Sequence, residues 1–132
     1  MTSDNAKVLL EWLDRDGKLP AHYSYPVQVM RFGDDLTLVA LASEVVIDYS
    51  LRLKREIGGS HVWVAAYSND FLGYLPSRRI WEEGGYEGGG SMTFSRITLY
   101  RGAAHPNIWD PGVEQMIVSK VHELYGRLLD NR

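Results

Sequence analysis

The sequence predicts an α/β (mixed α+β) chain: a small mixed sheet with a hairpin and a strand-helix-strand crossover, helices packed on it, and a long glycine-rich loop at the strand ends. Three observations carry that expectation. Two apolar runs, VQVMRF from Val27 and LTLVALA from Leu36, are separated only by the turn residues Gly33 to Asp35. A segment of helical period, VVIDYSLRLKREI, lies between the second run and a third, HVWVAAY. The chain then closes on its clearest helical pattern, from Val113 through Val121 to Leu128. A length of 132 residues with 45% hydrophobic content allows one domain, 1–132, with a real core, and is short for two.

In chain order, Val8, Leu9, Trp12 and Leu13 recur at helical spacing behind Asp4, a plausible cap, and Gly17 can end that first helix near Asp16. Pro26 leads into the first strand, in which Val27, Val29, Met30 and Phe32 suit partial burial, while the second strand is more continuously apolar and so the more buried of the pair. Val46, Tyr49, Leu53 and Ile57 then share one helical face, Arg52, Lys54, Arg55 and Glu56 decorate the other, and Gly58 and Gly59 stop the helix. Strand, helix and strand in that order predict a parallel, right-handed crossover. Ligands gather at the carboxyl ends of such strands, which places Glu44 and the segment from Asn69 to Tyr74 on one edge.

The stretch from Tyr67 to Ser91, YSNDFLGYLPSRRIWEEGGYEGGGS, carries Gly73, Gly84, Gly85, Gly88, Gly89 and Gly90 among aromatics and carboxylates. Loops of this length inside a small domain are uncommon unless they hold a ligand, so it is the candidate site or half of one. Beyond it, Met92 to Tyr100 reads as a short strand or an irregular segment, RGAAHPNIWDPG as a loop, and Pro111 as the approach to the last helix.

Composition excludes several classes. A net charge of −3 and a pI near 5.8 give no global attraction to nucleic acid or to an anionic membrane. No stretch approaches the roughly 20 apolar residues of a membrane span, and the amino terminus lacks the basic start and apolar run of a secretion signal. Zero cysteines exclude disulfides and thiolate chemistry. His22, His61, His105 and His122 form no metal-binding pair, and neither a nucleophile elbow nor a P-loop is present, since GGYEGGG lacks the Lys and Ser or Thr of a phosphate cradle.

Glu44 stands between apolar LVALA and apolar VVI, where desolvation of a carboxylate is costly without a partner. It can cap the following helix, or be compensated by a metal or an arginine. Tyr74 and Tyr86 flank the irregular stretch, each preceded by glycine. Asn69 and Asp70 can form an Asx turn, and Arg78 or Arg79 can pair with Glu82 or Glu83.

Taken together, SEVVIDYSLRLKRE from Ser43 and HVWVAAYSNDFLGYLPSRRIWEEGGYEGG from His61 resemble the carboxyl-terminal part of the catalytic domain of the neutral/alkaline (non-lysosomal) ceramidase family, especially its bacterial ceramidase-like members. The resemblance runs from about Pro26 to Glu87 and more loosely to the final helix. It implies a zinc-dependent amidase that hydrolyses the N-acyl bond of ceramide or a related N-acyl lipid. By that resemblance Glu44, in SEVV, and Tyr74, in GYLP, match two zinc ligands, with two histidines coming from the earlier part of the catalytic domain. Tyr86, in GGYEGG, matches a tyrosine beside the zinc that contacts the reacting group, and Asn69 is a candidate for orienting Tyr74 or the attacking water. Nothing before Pro26 resembles the histidine motifs. The chain is therefore expected to be a carboxyl-terminal portion, inactive alone, with the amino-terminal part of the catalytic domain as its partner, in frame or as a separate chain. The alternative is a noncatalytic assembly or binding domain that completes a site with a separately encoded partner.

Overall fold

The computed structural model describes residues 3–17, 22–91 and 109–130. Helix α1 spans Ser3–Asp16 and ends where Gly17, at φ 67°, donates its N–H to the Leu13 carbonyl. β1 (Val27–Phe32) and β2 (Leu36–Leu41) form the predicted antiparallel hairpin, with Val27 opposite Leu41 and Phe32 opposite Leu36. Helix α2 (Ile47–Leu53) runs into a wider turn, Lys54–Gly58, and Gly59 at φ 58° redirects the chain into β4 (Val62–Ala65), which lies parallel to β2. The three-stranded sheet has the order β1-β2-β4. Beside it, β3 (Glu44–Val45) pairs in parallel with β5 (Tyr74–Leu75).

One face of the sheet is the core. Val39 and Leu41 of β2 and Val62 of β4 pack against Tyr49 and Leu53 of α2, against Leu75, and against Val113, Ile117, Val118 and Val121 of the last helix, α4 (Val113–Asp130). The predicted face of α2 is confirmed by Tyr49 and Leu53, both fully buried, while Val46 and Ile57 pack at its edge. At roughly 1.5–3 kcal/mol for each aliphatic side chain fully buried, this cluster is the main stabilising contact of the fold. The Tyr49 hydroxyl, inside it, donates to the Pro76 carbonyl at 3.0 Å, and burial pushes its phenol up.

Register puts the other set of strand residues on the opposite face: Gln28, Met30 and Phe32, then Leu36, Leu38 and Ala40, then Trp63 and Ala65. Phe32 and Trp63 are 55% and 62% exposed there.

Two expectations need correction. Glu44 does not cap α2: it lies in β3, and the cap position is Val46, which makes no side-chain cap bond. Tyr67 to Ser91 is also less irregular than its glycines suggest. It contains β5, a short helix α3 (Arg78–Glu83) capped by Ser77, whose Oγ accepts from the Ile80 N–H at 3.2 Å, and a wide turn, Tyr86–Gly90, closed by the Gly90 N–H on the Gly85 carbonyl at 2.9 Å. Within α4, Met116 points outward, 67% exposed. Met92 to Tyr100 and His105 lie outside the described residues. Among the described residues no helix is long and apolar enough to cross a membrane.

Candidate functional site

Glu44 is brought to the sheet edge by an unusual piece of backbone. The chain leaves β2 through Ser43, fully buried and at φ 65°, and returns from β4 through Tyr67 at φ 55° and Asn69 at φ 69°. Left-handed backbone costs an L-residue with a side chain roughly 1–2 kcal/mol. Hydrogen bonds offset that cost here. Ser43 N–H donates to the Asp70 carbonyl at 2.9 Å, Tyr67 N–H to the Ser43 carbonyl at 2.8 Å, and Glu44 N–H to the Gly73 carbonyl at 2.9 Å. The Ser43 Oγ accepts from the Leu72 N–H at 3.3 Å. Asp70 completes the turn by accepting from the Phe71 N–H at 2.8 Å and from the Tyr23 hydroxyl.

The β3–β5 register then sets Glu44 directly opposite Tyr74. The Tyr74 ring meets the Tyr86 ring edge to face, centroids 5.4 Å apart. Tyr86 reaches that position because the wide turn closes tightly over α3: a Cβ on Gly88 would stand 2.5 Å from the Ile80 carbonyl oxygen. The three residues singled out by the resemblance, distant in sequence, therefore converge on one edge.

Two phenols lie beside the Glu44 carboxylate. Interaction with that carboxylate, with some desolvation, pushes Tyr67 up to about 12, and the same two causes raise Tyr74. Among the described residues Glu44 forms no ion pair with Lys, Arg or His. Tyr67 also stacks on Phe71, centroids 5.7 Å apart and planes 12° from parallel. The result is a half-buried carboxylate flanked by phenols and rimmed by aromatic rings, two of which, Tyr67 and Tyr86, are open to solvent. Such a carboxylate can take a cation, and the neighbouring hydroxyls can donate to an anionic oxygen.

Asn69 sits at this edge, but its amide donates to the Gln28 side chain at 2.9 Å, so its hydrogen bond braces the loop against β1 and is not directed at Tyr74. Tyr67 and Trp109 are the residues that sequence reasoning missed. The Trp109 indole donates to the Tyr74 carbonyl at 2.7 Å, its own carbonyl accepts from the Trp81 indole at 2.8 Å, and its ring meets Tyr23 and Tyr25 edge-on, both at 6.1 Å. The position of Tyr67 two residues beyond β4 was a usable signal; a single tryptophan in a loop was not.

Two of the described histidines, His61 and His122, are engaged elsewhere. His61 Nδ1 lies 2.9 Å from the Asp35 carbonyl, and His122 Nε2 lies 2.8 Å from Glu56 on the far helices. Among the described residues no group of three or more His, Cys, Asp or Glu is placed to hold a metal. Comparison with protein-family models, with curated proteins and with solved structures finds no match to this chain.

Proposed function

We propose that this chain is the portion of a zinc-dependent amidase that supplies a glutamate and a tyrosine to the metal, the substrate being the N-acyl bond of ceramide or a related N-acyl lipid. Support comes above all from the β3–β5 register, which pairs Glu44 with Tyr74 while Tyr86 packs on the Tyr74 ring. These are the residues that the resemblance to non-lysosomal ceramidases marks.

The donor set fits one side of a zinc ion. Glu44 offers a carboxylate without a cationic partner among the described residues, and Tyr74 a phenol oxygen beside it. The two histidine ligands that the resemblance implies are expected from outside this chain, since two oxygen donors alone do not make a zinc site. Zinc bound there would polarise the amide carbonyl as a Lewis acid. The chain's own groups do the rest. Tyr67 stands beside Glu44, whose carboxylate raises its phenol, and is placed to orient that carboxylate. The Tyr86 hydroxyl is available to donate to the oxyanion that develops on the carbonyl as the amide is attacked, a contact stronger in the transition state than in the ground state. The exposed faces of Tyr67 and Tyr86 give the lipid's apolar chains a surface next to the reacting bond.

The test is a zinc titration of the purified chain together with an assay for fatty-acid release. Weak zinc binding and no hydrolysis are expected of the chain alone. Joining it to the amino-terminal part of a ceramidase-like catalytic domain is expected to restore hydrolysis, and Glu44→Ala to abolish it. Tight zinc binding with hydrolysis by the chain alone would overturn the half-site, and restored hydrolysis indifferent to Glu44→Ala would overturn the ligand assignment. A noncatalytic assembly domain is the second reading, favoured by only two donors meeting among the described residues; it predicts complex formation with a separately encoded partner and no hydrolysis by the complex.

A further inference from the structure

Among the described residues, two apolar surfaces carry exposed side chains at once. One is the sheet face opposite the core, crossed by the row Met30, Leu38, Trp63 and flanked by Phe32 and Leu36, with no charged residue contributed by the strands. The other is α1, where Leu10 and Leu13, one turn apart, are 58% and 40% exposed. We propose that α1 docks along this sheet face, over the exposed Met30, Phe32 and Trp63, as its second helical layer.

The dimensions match. A 14-residue helix is about 21 Å long. The six-residue strands β1 and β2 are about 20 Å long. Three strands span about 14 Å, room for one helix of about 10–12 Å. The footprint, about 280 Å² from strand spacing and rise, falls well short of the ~800 Å² per partner of a stable dimer, which argues against a second copy held by this face alone. A tethered helix needs no such area, because the linker keeps its effective concentration high. Gly17 to His22 can reach at most about 20 Å, and the chain enters β1 at Val27, at the end of the sheet next to Ser43. That entry runs α1 antiparallel to β1. Its amino terminus then approaches the acidic turn at Asp34 and Asp35, the favourable sense for a helix dipole. A parallel pair such as β2 and β4 is also ordinarily covered on both faces, and a helix this short is marginal in water without tertiary support.

The absence of cysteine makes the test clean. A nitroxide on Leu10→Cys is expected to broaden the Met30 methyl and Trp63 indole resonances and to spare the Met116 methyl on α4. Uniform absence of broadening at Met30 and Trp63 overturns the proposal. So does broadening that appears only when spin-labelled chain is mixed with separate isotope-labelled chain, since the occupant is then a second copy. Hydrogen exchange on the unlabelled protein gives an independent readout: Trp63→Lys, at an exposed position, should speed exchange of the α1 amides about tenfold. Unchanged exchange in that variant also overturns the docking.

Discussion

Glu44 and Asp48 lie one helical turn apart in sequence, yet their charges are handled in opposite ways. The Asp48 carboxylate accepts from Arg79 Nη2 at 3.0 Å, from Arg79 Nε at 3.2 Å and from the Ser77 hydroxyl at 2.5 Å. Those bonds hold its carboxyl below the usual range, Arg79 first and Ser77 second. Across the same cleft Arg52 bridges Glu56 and Glu114, both at 2.8 Å, and Glu114 accepts from the Arg78 N–H at 2.7 Å, tying α2, α3 and α4 together. Glu44, by contrast, has phenols beside it and forms no ion pair among the described residues. A carboxylate whose charge is neutralised inside the fold is structural; one with only neutral neighbours keeps its charge available to something that binds.

The largest expected effect falls on chemistry. If the chain completes an amidase as proposed, Tyr86→Phe should lower kcat about 10²–10³-fold with little change in stability, the usual loss for one oxyanion donor, as steady-state kinetics would show. Asp48→Ala should leave kcat near wild type. Next in size is stability itself. Asp48→Ala should cost about 1 kcal/mol, discounted for the exposure of Arg79, and lower Tm by about 4 °C in a thermal melt. Glu44→Gln, which keeps an acceptor for the phenols, should stay within about 0.5 kcal/mol of wild type. Reversal of that order would dissolve the distinction between the two carboxylates.

Acid sharpens it further. Because the folded Asp48 carboxyl is lowered, its contribution is present above the unfolded value of about 4 and is lost as pH falls through the folded one. Melts between pH 5 and pH 2 should therefore show a steeper decline for wild type than for Asp48→Asn. The smallest effect is spectroscopic. Tyr67, raised to about 12, should ionise later than a free phenol at about 10, and the stability tied to its neutral form should hold below about 10 and fall as pH rises through about 12. Tyrosinate absorbance of Tyr67→Phe subtracted from wild type should isolate that late step, and Glu44→Gln should move it down.

Much of the fold was legible because it rests on local chemistry. The hairpin follows from Gly33 to Asp35 between two apolar runs, and the α2 face from the spacing of Tyr49 and Leu53. Helix α4 was equally clear, although its periodicity could not tell that Met116 lies on the wet side. The site was only partly readable. Glu44 looked like a cap because strand β3 is two residues long and is defined wholly by a partner thirty positions away. Trp109 was invisible for the same reason: its hydrogen bonds go to Tyr74 and Trp81, contacts that no periodicity encodes.

Trp109 also gives the molecule an optical handle. Its indole N–H is bonded to the carbonyl of the residue opposite Glu44, and tyrosine edges lie on its ring. Anything that draws the β5 backbone toward the carboxylate must lengthen or shorten that bond, and indole emission shifts with the strength of its hydrogen bond. With Trp12, Trp63 and Trp81 replaced by phenylalanine, the fluorescence of this one side chain would register occupancy of the neighbouring edge without any substrate being turned over.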